Sequence, residues 1–431
     1  MKKILFISFF FPPTGLAGAI RVTKFVKYLP DFSIEPIVLT TTEDIYGSKD
    51  YSLLNDISEN ITIVRVPAFY LPNLMPKFKF LKFNQVISFI NKHFIWPDSS
   101  IHWAKKAFLK AKQLIEENMI VNKIDTIITT GGPFSTHLVG LWLKKIYPDI
   151  YWISDFRDEW TTNPFVHYSF IRKYYERKLE EEVFKYSDKI ITISKSMKDI
   201  FTRLYPSYYN KIELIYNGFD EDDFKNYSLK ITKNLNFNNI EPSLKIAYTG
   251  TIYGLRNPLN FFKALSIIVK EEKYKNNIEV HFIGHRSYYI QKGIKKYKLD
   301  KIIKIKEKIP HNLLFSEISR YDALLLLIGS GKNAKRIITS KVFEYLRLYK
   351  PILALGPEDS EVSTILKSTK AGVIVDFSNI EKITKTLKYL IELKKEDKLY
   401  EIFKPDKEKI DEFNRKNLTK KLADIINKKA F

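Results

Sequence analysis

The stretch SKVFEYLRLYKPILAL, Ser340–Leu355, contains the change of pattern on which the fold prediction depends. Its apolar residues have helical spacing from Val342 to Leu348, and after a short break the run ILAL is typical of a buried strand. The stretch also places Lys341 in the first turn of the helix, where unpaired backbone N–H groups already carry partial positive charge. A cation is unfavourable there unless an anion lies beside it. The pattern therefore predicts a helix, a strand and an anion bound near Lys341.

The same alternation of strands and helices extends along the rest of the chain. Strand-like apolar runs occur at residues 3–9, 36–41, 62–66, 125–130, 151–155, 189–194, 212–215, 244–250, 279–284, 301–307, 321–329, 351–356 and 371–377. The alternation pauses in a polar, Asn-rich segment near residues 218–243. A chain of 431 residues is also too long to fold around a single hydrophobic core of ordinary size. We therefore predict an α/β fold class with two tandem Rossmann-like doubly wound domains and an interdomain cleft lined by the carboxyl ends of strands.

Composition and charge exclude several classes of protein. The chain has no Cys, which excludes disulfide frameworks, thiol catalysis and Cys-based metal sites and fits a reducing compartment. The net charge of +22 indicates anionic partners, and residues 231–431 carry +17 of it. No apolar run approaches the roughly 18 residues that span a bilayer. Residues 1–19 could pass for a secretory signal, but the helical pattern that follows needs this strand and glycine turn, so we expect them to belong to the fold.

In each predicted domain, the first strand is followed by a turn that contains glycine. Gly15 and Gly18 have the spacing Gly-x-x-Gly, which differs from the Gly-x-Gly-x-x-Gly of dinucleotide binders. We therefore do not expect a nicotinamide or flavin cofactor. The second turn contains Gly250 and is followed by Arg256 at the edge of the next helix. Both turns allow backbone N–H groups to approach an anionic ligand, although a turn that needs glycine for steric reasons alone is the simpler interpretation.

Arg256 and Lys341 place two cations at helix starts within one domain. A nucleoside diphosphate would satisfy both, and a site without a metal would need such cations to neutralise a departing phosphate. Glu344 follows Lys341 by three residues, so the two could instead form an exposed helical pair worth only about 0.2–0.5 kcal/mol. Glu344 does not complete a capping box with Ser340, because the box needs an acidic residue at position 343, and that residue is Phe343. The Glu344 carboxylate is therefore predicted to be available for the ribose hydroxyls.

In order along the chain, these motifs resemble a family-four glycosyltransferase of the GT-B fold. The resemblance is carried by FFFPPTGLAGAIRVTKFVKYL, TTGGPFSTHLVGLWLKK, ISDFRDEWTTNP, ITISKSM, IYNGFD, AYTGTIYGLRNP and SKVFEYLRLYKPILALGPEDSEV. It implies retaining transfer of a sugar from a nucleoside-diphosphate sugar, without a metal or another cofactor. It also implies an acceptor-binding domain over residues 1–225 and a donor-binding domain over residues 240–408. A terminal helix at about residues 410–431 would pack back on the first domain.

The resemblance also implies roles for particular residues. The donor would be bound by Gly15, Gly18, Gly250, Arg256, Lys341 and Glu344. Arg256 and Lys341 would in addition act catalytically, by stabilising the charge on the leaving diphosphate. Family members commonly carry a further glutamate at the position of Arg336, and that acid usually meets the transferred sugar. Here the stretch GSGKNAKRIITSK, with Lys332, Lys335 and Arg336, could bind phosphate or an acidic sugar, or could simply keep the loop soluble, and a non-catalytic relative remains an alternative.

Acidic and basic side chains follow strands of the first domain as well. Asp155, Arg157 and Asp158 come at the end of a strand, and we predict that they bind or orient the acceptor, with Asp158 also catalytic. A buried ion network that fixes the loop is the alternative for the same three residues. His137 lies just after another strand end, and we predict a catalytic contact with the sugar, the alternative being a structural histidine.

The segment of residues 77–112 combines Lys with Phe, Ile and Trp. Such a composition suits an amphipathic surface on an anionic membrane, although core packing of a helix would explain it equally. With the membrane interpretation, the protein is cytoplasmic, peripheral to the membrane, and acts on a glycan or lipid-linked acceptor in cell-surface polysaccharide assembly. The alternatives are a nucleotide-sugar epimerase of the same architecture and a nucleic-acid-binding protein. No nucleic-acid-binding motif occurs, so we expect no nucleic acid partner.

Overall fold

The structure is a computed structural model that describes residues 1–45, 49–68, 95–118, 123–166, 168–225, 243–252, 256–284 and 288–428. The chain forms two compact units. One contains Met1–Asn217 together with Arg415–Phe431, and the other contains Gly218–Asn414. Each unit has a parallel sheet with helices packed against it. The predicted fold class, two tandem Rossmann-like α/β domains, is confirmed.

The first unit is built on a seven-stranded sheet, counted over the described residues. Its strands are β1 (Lys2–Ser8), β2 (Ile34–Thr41), β3 (Ile63–Val66), β4 (Thr126–Thr130), β5 (Tyr151–Phe156), β6 (Lys189–Thr192) and β7 (Ile212–Leu214). They lie in the order β3-β2-β1-β4-β5-β6-β7, and all neighbours are parallel. The order of connection reverses between β1 and β4, so the crevice expected of doubly wound sheets lies at the carboxyl ends of these two strands.

Helices connect these strands and supply the core of the first unit. They are α1 (Ala17–Tyr28), α2 (Ile101–Glu117), α3 (Ser135–Ile146), α4 (Phe170–Tyr186) and α5 (Lys195–Leu204). Trp103 of α2 and Trp152 of β5 are fully buried in one apolar cluster together with Phe156 and Phe184. The strands are apolar on both faces because helices cover both.

The second unit has a six-stranded parallel sheet, again counted over the described residues. Its strands are β8 (Leu244–Thr249), β9 (Ile278–Ile283), β10 (Ile303–Lys306), β11 (Ala323–Leu327), β12 (Ile352–Leu355) and β13 (Gly372–Val375), in the order β10-β9-β8-β11-β12-β13. Its helices are α6 (Leu259–Ile268), α7 (Tyr288–Tyr297), α8 (His311–Ile318), α9 (Lys341–Arg347), α10 (Glu361–Ser368), α11 (Ile380–Lys395), α12 (Leu399–Ile402) and α13 (Lys407–Asp411). The connection reverses between β8 and β11, which places the crevice of this unit at their carboxyl ends.

The stretch Ser340–Leu355 forms helix α9 and strand β12, as its pattern predicts. Val342, Phe343 and Leu346 are buried, which fixes the face that α9 turns to the core. The helix ends near Tyr349, whose φ of 53° is left-handed. Pro351 then cannot continue a helix, and the chain enters β12.

The last helix of the chain, α14 (Arg415–Asn427), belongs to the first unit. Leu418, Leu422 and Ile426 are buried in one apolar cluster with Val22 of α1 and Val38 of β2. The carboxyl-terminal segment thus covers one face of the first sheet.

Candidate active site

In the second unit, Lys341 extends over the end of β8. It begins α9, and its Nζ lies 4.9 Å from the centroid of the Tyr248 ring. Gly250, the residue after β8, has a left-handed φ of 95°. A Cβ atom at this glycine would lie 2.5 Å from Lys341 Nζ. The amine therefore occupies the crevice at the carboxyl ends of β8 and β11, where doubly wound sheets bind ligands.

Arg256 and Glu344, the two other charged residues that the sequence predicts for this site, both affect the pKa of Lys341. The pKa of Lys341 is lowered to about 8, mainly by burial and also by the nearby Arg256, while Glu344 acts in the opposite direction. The structure thus brings Arg256, Lys341 and Glu344 together around one partly buried amine. An amine with this pKa is still mostly protonated at pH 7, and in a low-dielectric crevice it attracts an anion strongly. The donor-binding roles of the three residues stay predictions.

Tyr345 is a site residue that the sequence reasoning missed. It is fully buried, and its Oη accepts a hydrogen bond from the Thr249 backbone N–H at 3.1 Å. Its Oη and the Thr249 Oγ1 lie 2.9 Å apart, within hydrogen-bond distance. These contacts hold the start of α9 against the end of β8. Helical spacing places Tyr345 on the buried face of α9, but sequence alone does not show that its hydroxyl anchors the loop that contains Gly250.

Gly250→Ala is expected to displace the Lys341 side chain, because the added Cβ would lie 2.5 Å from Nζ and 3.0 Å from Cε. We expect nucleoside diphosphate binding, measured by isothermal titration calorimetry, to weaken at least tenfold. Gly331→Ala is the matched control, since Gly331 has a similar φ of 86° but a Cβ there meets no atom within 4 Å. The backbone strain, about 1 kcal/mol, is common to both variants. Equal loss of binding in both would contradict a specific effect on Lys341.

In the first unit, Asp155 forms a buried ion pair with Arg21 of α1. Arg21 donates from Nε to Asp155 Oδ2 at 3.1 Å and from Nη2 to Asp155 Oδ1 at 2.9 Å. Thr130 Oγ1 donates to Asp155 Oδ2 at 2.9 Å, and Arg21 Nη1 also donates to the Tyr216 carbonyl at 2.8 Å. Arg21 and Asp155 are 3 % and 1 % exposed. The prediction that Asp155 binds the acceptor is therefore corrected: its carboxylate is committed to Arg21 and Thr130.

Arg157 likewise has a structural explanation. Its guanidinium donates to the carbonyls of Gly131 and Gly132, each at 2.7 Å, and to the carbonyl of Gly18. Burial lowers its pKa, while Asp155 and Asp158 raise it. The guanidinium thus joins the loop after β4 to the first turn of α1, which corrects the prediction that Arg157 binds the acceptor. The same guanidinium explains why position 18 is a glycine, because a Cβ there would lie 2.9 Å from Arg157 Nη1.

Asp158 is the acidic residue of this group whose side chain reaches the surface. Desolvation by the surrounding protein nevertheless raises its pKa, and Arg157 lowers it only in part. An exposed carboxylate can accept a hydrogen bond from a sugar hydroxyl. Asp158 therefore stays the candidate for acceptor binding and catalysis. Gly15 is also exposed, in the loop after β1.

His137 is fully buried beneath Gly131. Its Nδ1 lies 2.9 Å from Thr129 Oγ1, which accepts a hydrogen bond from Trp152 Nε1 at 2.9 Å. The Thr129 hydroxyl can therefore donate to Nδ1, which places the imidazole proton on Nε2. Burial lowers the pKa of His137 to about 3, so the ring is neutral. Its Nε2 has no hydrogen-bond partner among the described residues, and a Cβ on Gly131 would lie 2.3 Å from it. Contact with a sugar would require Gly131 to move.

The basic segment after β11 forms a short 3-10 helix, Lys332–Arg336, in which Lys335 pairs with Asp359. In the predicted membrane segment, residues 77–94 lie outside the described residues. The described remainder packs Trp103 in the core, and Phe108 also contacts that cluster, so the core interpretation applies to this part of α2. None of the helices in the described ranges combines the length and apolarity of a membrane span.

Comparisons with known proteins agree with this fold. Residues 21–223 match the family model of Glycosyltransferase Family 4. Anabaena HepE in complex with UDP is 12% identical and superposes with a TM-score of 0.64, over 99% of this chain and 100% of that chain. A glycosyltransferase from Rickettsia africae is 15% identical with a TM-score of 0.65, over 100% and 99%. The lipopolysaccharide outer core galactosyltransferase WaaB, in its apo form, is 14% identical with a TM-score of 0.60, over 99% of each chain. Among curated proteins no sequence matches this chain.

Residues 21–223 thus resemble Glycosyltransferase Family 4, and the chain has the two-domain α/β fold, GT-B, of these solved glycosyltransferases. The likeness to solved structures is a likeness of fold, since sequence identity is low throughout. Which donor, acceptor and stereochemistry apply must be argued from this chain's own residues.

Proposed function

We propose that the protein is a retaining glycosyltransferase that transfers a sugar from a nucleoside-diphosphate sugar to a glycan or lipid-linked acceptor in cell-surface polysaccharide assembly. The observation that supports it most is the partly buried Lys341 amine, electrostatically coupled to Arg256 and Glu344 beside the backbone of Gly250. The UDP bound by HepE makes UDP the first diphosphate to test. The protein acts at the cytoplasmic face of the membrane, as a peripheral protein.

In this proposal the second unit carries the donor chemistry. As the bond between the sugar and the diphosphate breaks, its electron pair stays on the phosphate oxygen, and Lys341 and Arg256 neutralise the charge that develops there. The acceptor oxygen attacks the face that the diphosphate leaves, and the leaving oxygen takes the acceptor proton, so no strong base is needed. The backbone at Gly250 allows close approach of the diphosphate, and Glu344 accepts hydrogen bonds from the ribose. The reaction needs no cofactor, because the donor itself carries the activated bond.

The first unit is proposed to bind the acceptor, with Asp158 orienting the hydroxyl that attacks. The buried Arg21–Asp155 pair and the three hydrogen bonds of Arg157 fix the loop that carries Asp158. Asp155 and Arg157 thus support the site without touching the substrate. Gly15, in the exposed loop after β1, is proposed to let that backbone approach the donor phosphates.

The test begins with thermal-shift measurements against UDP, other nucleoside diphosphates and their sugar conjugates. The conjugate that stabilises the protein most is then incubated with membrane lipid extracts, and the anomeric configuration of the product is determined by NMR. We expect transfer that depends on the acceptor, with the configuration of the donor kept. An inverted product would contradict the retaining mechanism. Interconversion of the donor sugar without any acceptor would instead identify a nucleotide-sugar epimerase.

A further inference from the structure

The amino-terminal half of α4 (Phe170–Tyr186) has its polar and apolar faces exchanged relative to an ordinary surface helix. Arg172, Glu176 and Glu180 point inward and are buried. Phe170 and Ile171, in contrast, point outward and are 89% and 64% exposed. The exchange is the opposite of what the hydrophobic effect alone would produce, so something must hold the helix in this orientation.

A network of buried hydrogen bonds holds it. Arg172 Nε donates to Glu176 Oε1 at 2.5 Å, and Trp160 Nε1 donates to Glu176 Oε2 at 2.5 Å. Arg172 Nη2 donates to the Pro97 carbonyl at 2.7 Å. Further along the helix, Glu180 accepts a hydrogen bond from Tyr205 Oη at 2.8 Å. Turning the apolar face inward would break this network and leave the buried Trp160 N–H and Tyr205 hydroxyl without hydrogen-bond partners, which is unfavourable. These hydrogen bonds therefore keep the apolar face of α4 exposed.

The exposed apolar side chains form one patch, which we call the α4 patch. It consists of Phe165, Val166, Phe170, Ile171, Tyr174 and Tyr175, each at least 43% exposed. Scattered apolar residues are normal on a protein surface, but a concentration of six within eleven positions of the chain is typical of an interaction surface. The ring of Tyr175 is also stacked on Trp96, at 5.6 Å between centroids, so part of the patch is held rigid.

The charges around the patch indicate what covers it. Lys173 and Lys178 are exposed beside it, and Lys178 Nζ lies 4.5 Å from the centroid of the Tyr174 ring. Among the described residues of 165–178 the acidic side chain is Glu176, which is buried against Arg172. The exposed ionic groups of this surface are therefore cationic. Surfaces that lie in a bilayer interface typically combine Phe and Ile with flanking Tyr and Lys. The lysine amines of such surfaces lie at the level of the anionic head groups.

We propose that the α4 patch is a membrane-docking surface that inserts Phe170 and Ile171 into the interface of an anionic bilayer. Trp160, two residues after Asp158, is hydrogen-bonded to Glu176 of α4, so docking would hold the proposed acceptor residue near the membrane surface, where the sugar of a lipid-linked acceptor is found. That the docked lipid leaflet also supplies the acceptor rests on the proposed function. The docking specifies the surface for the peripheral membrane role in that proposal, and it can be tested separately from transfer because it needs neither donor nor acceptor. This surface differs from the segment of residues 77–112 that the sequence predicts to meet the membrane, of which residues 77–94 lie outside the described residues.

The test is sedimentation of the full chain with vesicles of phosphatidylcholine alone and with vesicles of equal parts phosphatidylcholine and phosphatidylglycerol. We expect the wild type to bind the anionic vesicles more strongly than the neutral ones. The variant Phe170→Ser/Ile171→Ser should bind the anionic vesicles about tenfold more weakly, because two apolar side chains no longer enter the interface. Ile146→Ser is the matched control: Ile146 is a 47% exposed isoleucine on α3 of the same unit, outside the patch. Its binding should equal that of the wild type.

Thermal melting and UDP titration of each variant separate docking from folding and from donor binding. Unchanged melting and UDP affinity with lost vesicle binding support the proposal. Equal vesicle binding by the wild type and the Phe170→Ser/Ile171→Ser variant would overturn it, as would no vesicle binding by the wild type. A wild-type dimer that the double variant converts to a monomer in light scattering would overturn it too, by showing that a second copy covers the patch. Each of these outcomes leaves the transferase proposal standing, which fails only if donor binding or transfer fails.

Discussion

Lys341→Ala is expected to weaken UDP binding by about 10²–10³-fold and transfer by at least as much. The Nζ atom lies in the crevice over Gly250 and Tyr248, where removal of a desolvated charge that pairs with a ligand costs about 2–5 kcal/mol. The cationic form of Lys341 binds the diphosphate, and burial lowers its pKa to about 8. Affinity should therefore be steady below pH 8 and fall as the pH rises through that value. Calorimetric titrations between pH 6.5 and about 9.5 measure both effects.

Two variants complete this experiment. Lys367→Ala removes the same charge from an exposed position on α10 of the same unit and should leave UDP affinity within about twofold of the wild type. In Lys341→Ala, the weakening above pH 8 should disappear, because the titrating amine is gone. A Lys341→Ala protein that binds UDP with wild-type affinity, or that keeps the same dependence on pH, would remove Lys341 from the donor site.

Asp155→Asn is expected to lower the free energy of unfolding of the first unit by about 3–5 kcal/mol, because it leaves the Arg21 guanidinium buried without a countercharge. For a unit of this size the midpoint of thermal unfolding should fall by roughly 10 °C. Circular dichroism melts and urea titrations measure the change. Asp199→Asn is the matched control, since the Lys195–Asp199 pair is exposed on both sides and should contribute less than about 0.5 kcal/mol.

A second variant distinguishes a lost ion pair from general damage to the loop. Arg21→Met/Asp155→Leu removes both charges and fills the space with apolar atoms, and it should recover much of the stability lost in Asp155→Asn. If Asp155→Asn instead melts like the wild type but loses acceptor-dependent transfer, Asp155 touches the acceptor, as the sequence predicts.

The fold could be predicted from the sequence because its signal is local. Each of the described strands coincides with an apolar run that a helical pattern or turn separates from the next, and parallel order follows from that alternation. Lys341 could be predicted for the same reason: its place in the first turn of α9 depends only on the periodicity of its neighbours. The grouping with Arg256 and Glu344 required only that strand ends meet at one edge of a sheet.

The rest of the site depends on contacts between distant parts of the chain. Arg21 and Asp155 are 134 residues apart, and no local pattern shows that they form a pair. The sequence likewise could not show that Arg157 is committed to the carbonyls of three glycines. The orientation of α4 is the clearest case. Its apolar residues have helical spacing, which normally indicates the buried face, but the inward face is decided by hydrogen bonds that Trp160 and Tyr205 donate and that the Pro97 carbonyl accepts.

The position of α14 has a consequence for synthesis on the ribosome. Most two-domain chains complete their amino-terminal domain while the second is still being translated. Here Leu418, Leu422 and Ile426 cover apolar side chains of α1 and β2, more than 370 residues earlier. The nascent first unit therefore carries an uncovered sheet face throughout translation of Gly218–Asn414. During that interval it is expected to be the part of the chain most in need of a chaperone.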